Sequence, residues 1–95
     1  YLMHVKIWSK DHCPYCVMAV KACAQLSDIL DDFEYEVVKL GVDFEVEDFT
    51  NEFMYAKSLP QIKVDGRHVG GWSPFKEIVT TEIRNYDGNI GSPTK

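Results

Sequence analysis

The run His4-Val5-Lys6-Ile7-Trp8-Ser9-Lys10-Asp11-His12-Cys13-Pro14-Tyr15-Cys16 decides the fold, because the hydrophobic period changes within it. Its opening, inside Tyr1 to Trp8, is short and β-prone, ends at Ser9-Lys10-Asp11, and reads as a buried strand. From Pro14 onward Cys16, Ala19, Val20, Cys23, Leu26 and Leu30 share one face at helical spacing, predicting a helix to about Ser27 or Leu30. Pro14 suits the first helical position, which has no intrahelical N–H to lose.

Working outward, Phe33-Glu34-Tyr35-Glu36-Val37 alternates as a half-buried strand does and continues through Val38-Lys39-Leu40 to Gly41. Val46, Phe49, Phe53 and Ala56 return at helical spacing, with Glu47, Asp48 and Glu52 facing outward, predicting a second helix from about Glu45 to Lys57. Pro60 introduces a strand at Gln61-Ile62-Lys63-Val64, and Asp65-Gly66 turns it into Arg67-His68-Val69 as a hairpin. After Gly70-Gly71, Ser73 is expected to cap a third helix with Pro74 at its first position. Phe75, Ile78, Val79 and Ile83 line its core face, and it is expected to end near Arg84 or Asn85. Residues 86–95 are rich in Gly, Pro and Asn and read as a flexible tail after a single domain over residues 1–85. The order β-α-β-α-β-β-α gives a parallel pair plus a closing antiparallel hairpin: an α/β, thioredoxin-like fold with a four-stranded mixed sheet flanked by three helices.

A 95-residue chain supports one core, burying roughly 60–65% of the surface its unfolded form exposes, which excludes two catalytic domains. Ten basic against fifteen acidic residues give a net charge of −5, so neither nucleic acid nor an anionic membrane is expected as a partner. Ten of those acids lie between Asp28 and Glu52 and read as a solvated face. No apolar run approaches the roughly 18 residues of a membrane span. No basic lead followed by an apolar stretch opens the chain, so a cytoplasmic location is expected. The three cysteines are odd in number and crowded at Cys13, Cys16 and Cys23, unlike a secreted disulfide scaffold.

Cys13 and Cys16 lie where the first strand hands over to the first helix. Orphan N–H groups and the positive end of the helix dipole stabilise a negative sulfur there, so a thiol pKa drops from about 8.5 into roughly the 3.5–7.5 range. Lys10 adds positive potential. Cys16, one turn further in, is expected to be shielded while still within disulfide reach of Cys13. Cys13 then attacks a substrate disulfide and Cys16 resolves the mixed disulfide. Zinc would need two more ligands at compatible spacing; none follows, no metal site is expected, and His12 reads as a solvated neighbour. Cys23 stands about 10.5 Å along an ideal helix from Cys16, too far to join the pair, and reads as a small core residue.

Lys10-Asp11-His12-Cys13-Pro14-Tyr15-Cys16, Ser58-Leu59-Pro60 and Gly70-Gly71-Trp72-Ser73 together resemble the glutaredoxin family, and most closely its bacterial and phage dithiol members, over about Val5 to Ile83. The resemblance implies a glutathione site. Lys10 would face the glycyl carboxylate, Tyr15 would flank the tripeptide, and the Ser58-Leu59-Pro60 segment, its proline cis, would bond the cysteinyl part through the Leu59 backbone. Gly70 and Gly71 would permit close approach, and Gly71, Trp72 and Ser73 would receive the γ-glutamyl carboxylate at a helix start. The chain departs from the family in carrying Pro74 where an Asp is common. Ser73 Oγ, the Ser73 N–H and the Phe75 N–H are expected to take over that contact, and Lys57 is either a further carboxylate partner or a solvated helix-end lysine.

The function so implied is glutathione-dependent reduction of protein disulfides and glutathione mixed disulfides, with service as electron donor to ribonucleotide reductase. Glutathione is a co-substrate, no cofactor is permanently bound, and a monomer is expected. One alternative is a redoxin recycled by thioredoxin reductase, favoured by Pro74 and Trp72. Another is a [2Fe–2S] carrier shared between two chains and two glutathiones, disfavoured because Pro14 stiffens the loop and Cys16 offers internal disulfide closure. A non-catalytic adaptor is a third, against which the intact cysteine pair argues.

Overall fold

Along β1 (Met3–Ser9) Met3, Val5 and Ile7 alternate with His4, Lys6 and Trp8, and this period of two divides the apolar residues between the two faces of a sheet. The computed structural model describes residues 3–54 and 56–91. Among them β1 is followed by α1 (Pro14–Ile29), β2 (Phe33–Lys39), α2 (Val46–Glu52), β3 (Gln61–Val64), β4 (Arg67–Gly70) and α3 (Trp72–Gly91). The strands form one mixed sheet in the order β2-β1-β3-β4. β1 is parallel to β2 and antiparallel to β3, which is antiparallel to β4. The fold is thioredoxin-like, as the element order predicted.

The larger core lies on the Met3, Val5 and Ile7 face. Ala19, Ala22, Cys23 and Leu26 of α1 and Phe75 and Val79 of α3 close over it, joined by Phe33 and Ile62 from the sheet. On the opposite face Trp8 meets Phe44, Phe49 and Phe53, with the Trp8 and Phe53 rings edge to face at 4.8 Å. Among the described residues no helix is long and apolar enough to cross a membrane.

Local chemistry sets the joints. Asp65 and Gly66 both have positive φ, 53° and 82°, which is the two-residue turn whose twist matches a hairpin. The Asp65 N–H donates to the His4 carbonyl at 2.7 Å and Asp65 Oδ1 accepts the His4 N–H at 2.9 Å, tying the turn to β1. At the far end of β4, Gly70 has φ 121° and a Cβ there would stand 3.1 Å from Pro74 Cγ. Gly70→Ala is therefore expected to destabilise the fold by about 1–3 kcal/mol, read as a lowered denaturant midpoint. At Gly71 a Cβ would sit 3.5 Å from the Pro60 carbonyl oxygen, an ordinary contact, so the steric need for glycine falls on Gly70 and not on both.

Several boundaries differ from the sequence expectation. α2 stops at Glu52 instead of reaching Lys57, because Phe53 takes φ −125° and ψ 78° and turns inward against Trp8. Ala56 N–H then bonds the Phe53 carbonyl at 3.1 Å, a tighter turn than the α-helical one. Val46, expected on the core face, is exposed. Strict alternation also fails at Val37, 39% exposed, towards the end of an edge strand.

α3 begins at Trp72, with the Phe75 N–H on the Gly71 carbonyl at 3.4 Å, so the capping position is Gly71, and Ser73 and Pro74 lie within the first turn. Pro74 is tolerated because the first turn's N–H groups have no intrahelical partner in any case. The same helix runs on to Gly91, well past Asn85, since lengthening a formed helix is far easier than nucleating one. Of the expected flexible tail, residues 86–91 are thus helical, and residues 92–95 lie outside the described residues.

Candidate active site

Ser9 ends β1 with its hydroxyl donating to the Val38 carbonyl at 3.1 Å, and Lys10 and Asp11 leave the sheet. His12 then takes φ 57°, a left-handed residue of the kind histidine adopts more readily than most. That bend delivers Cys13 to the N-cap of α1 with extended φ −121° and ψ 100°. Its sulfur occupies the place usually filled by a Ser or Asp oxygen: the Cys16 N–H donates to Cys13 Sγ at 3.2 Å. The Val17 N–H bonds the Cys13 carbonyl at 3.1 Å and opens the helix. A donor aimed at this sulfur, backed by the helix dipole, favours its negative form.

Cys13 and Cys16 are joined as a disulfide with their Cα atoms 5.2 Å apart, well inside the usual span. Cys16 is shielded as expected, 3% exposed, and Cys13 is covered nearly as well at 6%, so what separates them is position on the helix rather than solvent contact. Cys23 is free and fully buried, and burial pushes its thiol up to about 12. Iodoacetamide applied to the reduced, folded protein near neutral pH should label Cys13 and leave Cys23 unmodified, whereas denaturation should expose all three thiols; peptide mass spectrometry reads both states.

Opposite the pair, the Leu59–Pro60 peptide bond is cis, and the Leu59 carbonyl oxygen lies 3.6 Å from Cys13 Sγ. Tyr15, Ser58, Leu59, Pro60, Gly71, Trp72 and Ser73, drawn from three distant parts of the chain, line one groove of about 150 Å³. These are the expected site residues with one exception. Lys10 lies across Leu59, in a second groove of about 200 Å³ shared with Lys57, Ser58 and Leu59 and floored by Leu40 and Phe49. Lys57 thus stands beside Lys10 and away from the Trp72 end.

Two supporting contacts were not legible. Buried Gln61 donates through Nε2 to the Ser58 carbonyl at 2.9 Å and accepts from His68 Nε2 at 2.7 Å, bracing the Ser58–Pro60 segment against β4. The only hint was a polar residue in a strand otherwise apolar at its start. Asp11 pairs with Lys39 at 2.7 Å, and that hydrogen bond holds its carboxyl below the ordinary 3.8. Since the folded-state value is depressed, the pair is fully present above 3.8 and is lost as pH falls through the lower value. A carboxyl-carbon NMR titration should place the Asp11 midpoint below 3.8, and Lys39→Met should bring it back. Asp11 being engaged, Lys10 is left without an ion pair among the described residues.

Two sulfurs able to close on each other, a donor that favours the first as an anion, and open grooves beside them are what disulfide exchange requires. Fold and site together define a thiol–disulfide oxidoreductase of the thioredoxin-like class. The glutaredoxin family model matches residues 5–69. Glutaredoxin 1 of Escherichia coli strain K12 is 37% identical over 87 residues, covering 85% of this chain and 98% of that one. A glutaredoxin of Vibrio cholerae is 30% identical over 91 residues, covering 90% of this chain and 100% of its own length. Among solved structures, oxidised E. coli glutaredoxin superposes with a TM-score of 0.73 at 31% identity, over 85% of this chain and 98% of that chain. Its reduced form gives 0.71 at 32% identity, with the same coverage. The chain belongs to the glutaredoxin family.

Proposed function

We propose that this protein reduces protein disulfides and glutathione mixed disulfides at the expense of glutathione. The observation that most supports the reading is the single groove formed by Tyr15, Ser58–Pro60 and Gly71–Ser73 beside a sulfur that sits 3.6 Å from the Leu59 carbonyl. In this reading Tyr15 and Trp72 flank the tripeptide and the Leu59 main chain bonds its cysteinyl unit. Lys10, with Lys57 beside it, receives the glycyl carboxylate. The γ-glutamyl carboxylate meets the start of α3 at the Trp72 and Ser73 N–H groups and Ser73 Oγ. Phe75 adds nothing there, because its N–H is engaged by Gly71.

The exchange proceeds in balanced steps. On a mixed disulfide, Cys13 thiolate attacks the glutathione sulfur, the other thiol leaves, and a second glutathione thiolate attacks the Cys13-bound sulfur to release oxidised glutathione. On a protein disulfide, Cys13 attacks one sulfur and the other leaves as thiolate. Cys16 then attacks Cys13, freeing the second substrate thiol and closing the Cys13–Cys16 bond, which two glutathiones reopen. Ribonucleotide reductase as a protein substrate, a cytoplasmic setting and a monomeric state belong to the same proposal. The deciding assay couples glutathione and glutathione reductase to a small mixed disulfide. Sustained NADPH consumption is expected, and none with active protein would overturn the reading.

The loss of both N–H and carboxylate at Pro74, together with the engaged Phe75 N–H, leaves the γ-glutamyl end with fewer donors and favours one second reading, recycling by thioredoxin reductase. Running the same assay with thioredoxin reductase in place of glutathione and its reductase separates the two.

A further inference from the structure

We propose that the cleft at the carboxyl ends of β1 and β2 docks an extended acidic segment of a protein disulfide substrate, on the side of the cysteine pair away from the Trp72 groove. The proposal rests on the oxidoreductase chemistry above and adds the kind of protein that the enzyme prefers. At about 290 Å³ the cleft is nearly twice the size of the Trp72 groove, and Cys16 forms part of its wall. Ser9 and Lys39 face each other in register at the ends of the parallel strands, and the first turns of α1 form the other side. Open α/β sheets commonly bind ligands beyond the carboxyl ends of their strands.

Its lining has two components. Lys10, Lys21 and Lys39 supply three of the ten basic residues of a chain with net charge −5, and because Lys39 and Asp11 engage each other, Lys10 and Lys21 are the cations without an ion pair among the described residues. Between these cations lie Val17 and Val20, Val17 being 51% exposed, and Met18 next to it is 42% exposed. A bare inorganic anion would use the lysines and leave the valines in water; a peptide carrying carboxylates and small apolar side chains uses both. Spacing sharpens the expectation. Lys21 lies eight residues along α1 from Cys13, about 12 Å, which an extended chain covers in three to four residues. A favoured substrate therefore carries an acid three or four positions from the cysteine whose sulfur joins Cys13.

The test uses two synthetic peptides with the same internal disulfide, one with Glu and one with Lys at that position, beside a small glutathione mixed disulfide. The expected result is a three- to tenfold higher kcat/KM for the Glu peptide at low salt, shrinking towards unity in about 0.5 M salt. Lys21→Glu should reverse the preference, Lys21→Gln should abolish it, and both should leave turnover of the small mixed disulfide unchanged. Equal rates for the two peptides, or a preference indifferent to residue 21, would overturn the docking site. So would a matching loss on the small mixed disulfide, which would assign the cleft to the small co-substrate. Wild-type protein inactive on all three substrates would instead remove the oxidoreductase reading and the docking site with it.

Discussion

Cys13→Ser is expected to abolish every disulfide exchange while leaving the fold in place. A serine hydroxyl at this helix start stays protonated at neutral pH and forms no bond to sulfur that thiols can reopen, so the loss should be at least about 10⁴-fold in turnover of either substrate type. The local structure is well suited to the change. Cys13 already acts as N-cap of α1, taking the Cys16 N–H at 3.2 Å, and serine is among the strongest residues for that position. An inactive variant with unchanged far-ultraviolet circular dichroism is the expected pairing. Retained activity would remove Cys13 from the role of nucleophile.

Cys16→Ser should divide the two activities instead of removing both. Reduction of a glutathione mixed disulfide needs only Cys13 and a second glutathione, and its rate should stay within a few-fold of wild type. A protein disulfide leaves Cys13 tethered to its substrate, and without Cys16 nearby the intermediate waits for free glutathione. An intramolecular thiol works at an effective concentration of many molar, so a loss of about 10²-fold or more is expected. Side-by-side assays on the two substrate types make the comparison. Equal loss on both would contradict the assigned roles. The variant also isolates the covalent intermediate, which mass spectrometry should detect as glutathione bound to Cys13.

The parts of the fold legible in the sequence were those that local chemistry determines. Pro14 marked the start of α1 and Asp65-Gly66 marked the hairpin, because each residue type restricts its own backbone. Long-range packing set the rest. α2 ends where Phe53 turns in against Trp8, and nothing between Val46 and Lys57 announces that a tryptophan from β1 is waiting. The candidate site shows the same division. Tyr15, Ser58–Pro60 and Gly71–Ser73 were recognisable as short motifs and do converge on one groove. The Asp11–Lys39 pair joins segments far apart in sequence, and the Gln61 brace, whose partners Ser58 and His68 are near in sequence, depends on where the folded hairpin sets that side chain; no pattern of spacing reveals such partners. The near-equal burial of Cys13 and Cys16 was likewise out of reach, since Leu59 covers the first sulfur from a distant loop.

Leu59 meets Cys13 through a carbonyl group, which all twenty amino acids possess. A mutational scan of position 59 will therefore report on how well each replacement fits beside Trp8 and Phe49, and will be silent about the neighbour that the sulfur keeps. Comparing variants by side chain alone would make this residue look like mere filler in the smaller core. A thioamide at the Leu59–Pro60 bond, which exchanges that single oxygen for sulfur and keeps the proline ring, introduced by chemical synthesis, is what would expose its influence.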